Sequence, residues 1–108
     1  MCKFNLFLEK IKNQPALFLG NKDVVALSYV ISGYEEAIYD LTGNRVLFNT
    51  KFQIFIEKKH DSERFMTIHW SQLLVNIYSE ESFDRFFELW SEFLRVYPDW
   101  ENLDICLF

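Results

Sequence analysis

Ser79-Glu80-Glu81-Ser82-Phe83-Asp84-Arg85-Phe86-Phe87-Glu88-Leu89-Trp90-Ser91-Glu92-Phe93-Leu94-Arg95-Val96-Tyr97 is the stretch that decides the fold. Phe83, Phe86, Phe87, Trp90, Phe93, Leu94 and Tyr97 recur at three- and four-residue spacings, which puts them on one side of an α-helix about four turns long. Ser79 stands where an N-cap is expected, and Glu80 and Glu81 fall in the first turn, where the helix dipole favours negative charge. Pro98 ends the helix. A face this rich in aromatic rings has to be buried, and its periodicity points to other helices as what buries it.

The segments before it supply those helices. Trp70, Leu73, Leu74 and Ile77 repeat at helical spacing and predict a short helix broken at Ser79, preceded by a polar loop from His60 to Glu63. From Arg45 to His60, Phe48, Phe52, Phe55 and Ile56 suit a helix, whereas Phe52, Ile54 and Ile56 also alternate as in a strand; the helix is the reading adopted. Asn21 or Asp23 can cap a long central helix. Its stripe is Val24, Leu27, Ile31, Tyr34, Ile38 and Leu41, widened by Val25, Tyr29 and Val30, and it ends at Thr42-Gly43-Asn44. Phe4, Phe7, Leu8 and Ile11 mark a first helix that stops near Asn13-Gln14 before Pro15, and Ala16 to Gly20 reads as a short apolar connector. Beyond Pro98, Leu103, Ile105 and Leu107 alternate and predict an extended cover. The expected architecture is all-α: one compact bundle of about five helices with a short extended C-terminal tail, residues 1–108 forming a single helical domain.

Composition agrees. A chain of 108 residues, half of them apolar, holds one core and has no room for two. Twelve Phe, five Tyr and three Trp against three Gly and two Pro disfavour disorder and turn-rich β architectures. Glu9, Lys10 and Lys12 interrupt the N-terminus too early for a secretory leader, and no run approaches the roughly 18 apolar residues of a membrane span. Cys2 and Cys106, alone at opposite ends, read as free thiols in a reducing, cytoplasmic setting.

The inventory for catalysis is thin. His60 sits in a charged stretch and His69 beside Trp70, neither with a partner at metal-ligand spacing. Gly20, Gly33 and Gly43 are isolated, so no phosphate-binding loop is expected. Cys106 lies among apolar residues, which raise a thiol pKa. Glu35-Glu36 and Glu80-Glu81 are sequence neighbours that point about 100° apart on a helix and share no site. The reading is therefore no enzyme, no cofactor and no metal.

Charge is distributed unevenly. Up to Tyr78 nine basic residues face eight acidic ones; from Ser79 onward two face eight. Asp84, Glu88 and Glu92 recur every four residues as a column opposite the aromatic face, with Glu81 at its head, and Arg85 and Arg95 are spaced to offset Glu81 and Glu92. Such a surface repels nucleic acid and steers a basic protein inward. Glu81, Asp84, Glu88 and Glu92 are the candidate partner-binding residues, with Tyr78 or Trp100 as an aromatic anchor.

Several motifs resemble a known family. They are Leu6 to Gly20 with its Pro15 and Leu19-Gly20, then Val25-Ala26-Leu27, Gly33-Tyr34, Phe52-Gln53-x-Phe55-Ile56, Trp70-Ser71 and Ser82-Phe83-Asp84-x-Phe86-Phe87-Glu88-Leu89. Together they span most of the chain and resemble small bacterial immunity proteins of contact-dependent growth inhibition and related polymorphic toxin systems. Gln14 and Phe18 depart from the Arg and Tyr usual there. The resemblance implies a cytoplasmic protein that neutralises a cognate toxin domain, often a nuclease, by forming a stoichiometric complex. It assigns no contact residues. A nuclease must present a basic surface to phosphates, which the acidic helix would complement. The competing expectations are a helical adaptor for an endogenous partner, and a small enzyme or ligand-binding bundle using space that the Phe side chains leave unfilled.

Overall fold

The computed structural model describes residues 3–60 and 68–97, and every regular element among them is helical. They are α1 (Lys3–Asn13), α2 (Pro15–Leu19), α3 (Val24–Thr42), α4 (Phe48–Lys59), α5 (Trp70–Tyr78) and α6 (Ser82–Val96), with a 3-10 turn over Ser79–Glu81. Five helices of nine residues or more form the predicted all-α bundle. The predicted tail, with Trp100, Leu103, Ile105 and Leu107, lies outside the described residues, as do Cys2, Cys106 and most of the 60–63 loop.

Each helix begins and ends for a local reason. α1 closes with Lys10 and Lys12 in its last turn, where cations complement the dipole. Gln14 is then pushed out of helical geometry ahead of Pro15. The expected connector that follows is instead a one-turn helix: Pro15 occupies its first position, where a missing N–H costs nothing, and Gly20 closes it at φ +84°. Five apolar residues are too few to reveal a period. The Asp23 carboxylate caps α3 by accepting from the Val25 and Ala26 amides at 2.9 and 3.1 Å. At the far end Gly43, at φ +74°, returns its N–H to Tyr39.

The core is aromatic. The rings of Phe48 and Phe52 stack 5.0 Å apart on α4, and Trp70 meets Phe52 edge-on at 5.0 Å. Phe86 and Phe93 of α6 close on Phe52 at 5.3 and 5.5 Å, and Phe4 of α1 reaches Phe48 at 5.0 Å. Phe4, Phe48, Phe52, Trp70, Phe86 and Phe93 are completely buried. The segment whose periodicity was most ambiguous is thus the hub of the bundle.

The central-helix stripe needs correction at its margins. Val24, Leu27, Ile31 and Ile38 are buried and Tyr34 is half-buried, but Leu41 is 81% exposed and Tyr29 74% exposed. Burial on α3 stops at Ile38, and Leu41 lies a turn beyond it. Tyr29 sits on the flank bordering a groove with α5. Ile77 is likewise exposed, while Leu89, absent from the predicted face of α6, is buried.

The junction before α6 also differs from expectation. Ser79 makes no side-chain cap; its backbone stands at φ 52°, ψ −120°, and its N–H closes α5 on Val75. Glu80 and Glu81 therefore lie in the 3-10 turn, and Asp84 is the acidic residue of α6's first turn. Those dihedrals belong to the first central position of a type II′ turn, where an L side chain is crowded and glycine is not.

Two stability effects follow. Ser79→Gly raises unfolding stability by about 1 kcal/mol in urea titration, because glycine releases the strain at that position. Phe52→Ala costs about 3–5 kcal/mol, a large fraction of the stability of a small domain, while Phe52→Leu loses less and keeps the chain folded for comparison.

Candidate functional site

Helix α6 has two unlike faces. One carries Phe83, Phe86, Phe87, Leu89, Trp90 and Phe93 into the core; the other presents Asp84, Arg85 and Glu88 outward, with Glu81 exposed just before the helix and Glu92 half-buried. The predicted acidic column therefore exists as a rigid row, fixed by the burial of the opposite side of the same helix.

The column is not bare. Glu88 accepts from the Arg85 guanidinium at 2.6 Å, Glu92 pairs with Lys59 at the end of α4 at 2.7 Å, and Asp84 lies 3.7 Å from Lys22, just ahead of α3. The expected offsets were Glu81–Arg85 and Glu92–Arg95. Arg85 instead takes Glu88 as its ion-pair partner, with Glu81 adding only to its electrostatic field, and Lys59 takes Glu92. The hydrogen bond and charge of Glu88, with smaller help from Tyr78 and Glu81, hold the Arg85 guanidinium above its ordinary pKa. Lys22 and Lys59 reach the column through tertiary packing, which i,i+3 and i,i+4 spacing does not report. Exposed pairs such as Lys22–Asp84 and Arg85–Glu88 contribute at most about 1 kcal/mol.

Tyr78, the predicted anchor, is half-buried. His60 Nδ1–H donates to the Ile56 carbonyl at 3.0 Å, which leaves Nε2 to accept the Tyr78 hydroxyl proton at 2.6 Å. The Arg85 guanidinium lies over the Tyr78 ring, 5.2 Å from its centroid. Tyr78 therefore borders the head of the acidic column but is already committed on both its hydroxyl and its ring. Trp100, the other candidate anchor, lies outside the described residues.

A groove of about 410 Å³ runs along the column between the end of α1 and α6. Phe83 and Phe87 form its floor, Asp84, Glu88 and Ser91 one wall, and Lys12, Asn13 and Lys22 the other. A second groove, about 320 Å³, separates α3 from α5 and is lined by Ser28, Tyr29, Ser32, His69 and Gln72 among others. Its hydroxyls are turned inward: Ser28 donates to the Val25 carbonyl, Ser32 accepts from Asn49, and the buried Ser71 bonds His69 Nδ1 at 2.9 Å. His69 caps α5 through the same nitrogen, accepting from the Ser71 amide, and burial holds its imidazole below the usual pKa. Ser71 and His69 are thus occupied in starting a helix. Among the described residues no group of three His, Cys, Asp or Glu is placed to hold a metal ion, and no helix is long and apolar enough to cross a membrane.

Beneath the surface a polar network joins α3, α4 and α5 that sequence periodicity does not reveal. Glu35 of α3 accepts the Asn49 amide at 2.9 Å, doing for the first turn of α4 what the absent side-chain cap at Leu47 does not. Asn49 Oδ1 accepts the Trp70 indole N–H at 2.9 Å, and Gln53 accepts the Trp70 amide at 2.6 Å while donating to the Ile68 carbonyl at 2.8 Å. Burial of Glu35 raises its pKa, and the Asn49 hydrogen bonds, which favour the carboxylate, only partly oppose this.

Comparison with protein-family models, with curated proteins and with solved structures finds no match.

Because Glu35 binds its proton more tightly folded than unfolded, its favourable contribution is complete below the ordinary 4.5 and is lost as pH rises through the raised value. Glu35→Gln keeps an oxygen for the Asn49 amide but cannot ionise. Urea titrations of that variant from pH 4 to pH 7 are expected to show a flatter pH profile than wild type, with the gain in stability confined to the upper end.

Proposed function

We propose that this chain works by binding another protein: it is a cytoplasmic immunity protein that holds a cognate nuclease toxin domain in a one-to-one complex. The observation that carries the reading is the row Glu81, Asp84, Glu88 and Glu92 on the outer side of α6. A helix locked into the core by its opposite face presents carboxylates at fixed backbone spacing, so little backbone freedom has to be lost on docking. The acidic balance of the last third of the chain steers a basic surface toward that helix, and the phosphate-binding face of a nuclease is such a surface. The motif resemblance to immunity proteins points the same way. Covering the phosphate-binding face, or docking beside it, would each deny substrate entry. A helical adaptor for an endogenous partner is the competing reading, and it predicts no protection from any toxin.

Isothermal titration calorimetry against the C-terminal domain of the polypeptide encoded immediately upstream tests the proposal directly. Tight one-to-one binding that weakens as salt rises is expected. Replacing Asp84, Glu88 and Glu92 together by Lys is expected to cost about 3 kcal/mol or more of binding while circular dichroism shows the helices intact. Unchanged affinity in that folded variant removes the acidic face, and absence of any binding by the wild-type chain favours the adaptor.

A further inference from the structure

We infer that the outer face of α3 is a self-association surface, on which a second copy of this chain docks antiparallel about a twofold axis between Tyr29 and Gly33. The surface lies on a different helix from the acidic row of α6, so the inference does not rest on the partner-binding reading above.

α3 is covered on one side only. Leu27, Ile31 and Ile38 go into the core, whereas Tyr29, Gly33, Glu36, Ala37 and Asp40 are exposed on the opposite side. From Val24 to Tyr34 the helix carries no charged residue, although Tyr29 is 74% exposed, and Val30, Ala37 and Leu41 continue an uncharged edge beside it. An apolar strip rimmed by charge marks a place where proteins meet, and a protruding aromatic ring is the usual anchor of such a place. One turn on from Tyr29, Gly33 supplies the matching gap: a methyl group built on it meets nothing within 4 Å outside its own helix. Ring and gap stand side by side on one face, about 6 Å apart and pointing the same way, so they can fill each other only across two molecules.

The placing of charge selects a second copy as the occupant. A twofold axis midway between Tyr29 and Gly33 sets each Tyr29 over the Gly33 of the other copy. The same axis brings a residue a given number of positions before Tyr29 opposite the residue the same number after Gly33. Lys22, just ahead of the helix and seven positions before Tyr29, thereby meets Asp40, seven positions after Gly33. Within one chain the two are about 27 Å apart at a rise of about 1.5 Å per residue and cannot pair. Asp40 has no ion-pair partner among the described residues, and Lys22 is held only loosely, 3.7 Å from Asp84 with its side chain 63% exposed. Glu36, the remaining charge of the face, already has Arg45 at 3.9 Å. A cation and an anion at equal distances from a knob and its hole are what a self-complementary interface requires, and antiparallel helices also set opposite dipole ends together. The face is one helix wide, about 10 Å, by about 27 Å long, a footprint of roughly 300 Å² against the roughly 800 Å² per partner of a stable complex. The dimer is therefore a weak one that forms at high protein concentration.

Sedimentation equilibrium of the full-length chain from micromolar to millimolar concentration tests this, at about 0.15 M salt, where repulsion between two acidic chains is largely screened. A reversible equilibrium between monomer and dimer is expected. Gly33→Leu puts a side chain into the gap of both copies, and is expected to abolish the dimer while circular dichroism and thermal unfolding show the monomer intact. Lys22→Glu or Asp40→Lys alone is expected to weaken association about tenfold, because symmetry spoils two ion pairs at once. The double variant Lys22→Glu with Asp40→Lys is expected to restore it, since each reversed charge again meets its opposite across the axis. A chain that stays monomeric at every concentration overturns the inference, as does a dimer that Gly33→Leu leaves intact. Single charge variants as dimeric as wild type, or a double variant no better than the single ones, overturn it too.

Discussion

Phe52 meets Phe48 and Phe55 of its own helix, Trp70 of α5, and Phe86 and Phe93 of α6, all with ring centroids between 5.0 and 5.9 Å. Three helices converge on that one buried side chain, and Phe4 brings in α1 by packing on its neighbour Phe48. Rings bury much apolar area with only two rotatable bonds, so a small domain that has few residues for a core gains most from them. The cost of so aromatic an interior is that any polar edge drawn into it needs a partner. Trp70 is fully buried, and its indole and backbone N–H groups are both answered by α4, through Asn49 and Gln53. The polar flank of α4 therefore fixes where α5 starts, while its aromatic flank fixes where α6 lies.

The position of α6 in turn determines the surface. Its buried phenylalanines set which way its outer face points, and the acidic row on that face becomes a linear array whose backbone spacing is that of the helix itself. Lysines from two other parts of the chain meet the row, Lys22 at Asp84 and Lys59 at Glu92. Their attraction relieves the mutual repulsion of the carboxylates in the free protein. The Lys22–Asp84 pair is long and exposed and therefore weak, whereas Lys59–Glu92, at 2.7 Å and partly buried, is the closer of the two.

Much of this was legible in the chain. The apolar periodicities of α1, α3, α5 and α6 are strong because each helix is long enough to show two or more turns of pattern, and Asp23, Gly43 and Pro15 mark boundaries by mechanisms local to the backbone. The weak points are also physical. α2 is a single turn and carries no period; Ser79 resembles a cap in composition but serves a strained turn; Leu41 and Tyr29 are apolar positions that stay largely exposed among the described residues. The acidic row could be placed on one helix face by counting residues, but its partners could not be counted, because Lys22 and Lys59 lie 62 and 33 positions away from Asp84 and Glu92.

By itself, then, the sequence determined what depends on neighbours within a few residues: helix type, helix limits at good caps, which face of α6 is apolar and which acidic. Only the tertiary structure decided which helix is central, how Glu35, Asn49, Gln53 and Trp70 form one network, and which cations sit on the carboxylates. It also decided that Phe83 and Phe87 floor an open groove beside them. The division follows from range. Backbone hydrogen bonds and helix-face geometry repeat every few residues and leave a period in the chain, whereas side-chain contacts between helices depend on how rigid elements dock, and docking leaves no period to read.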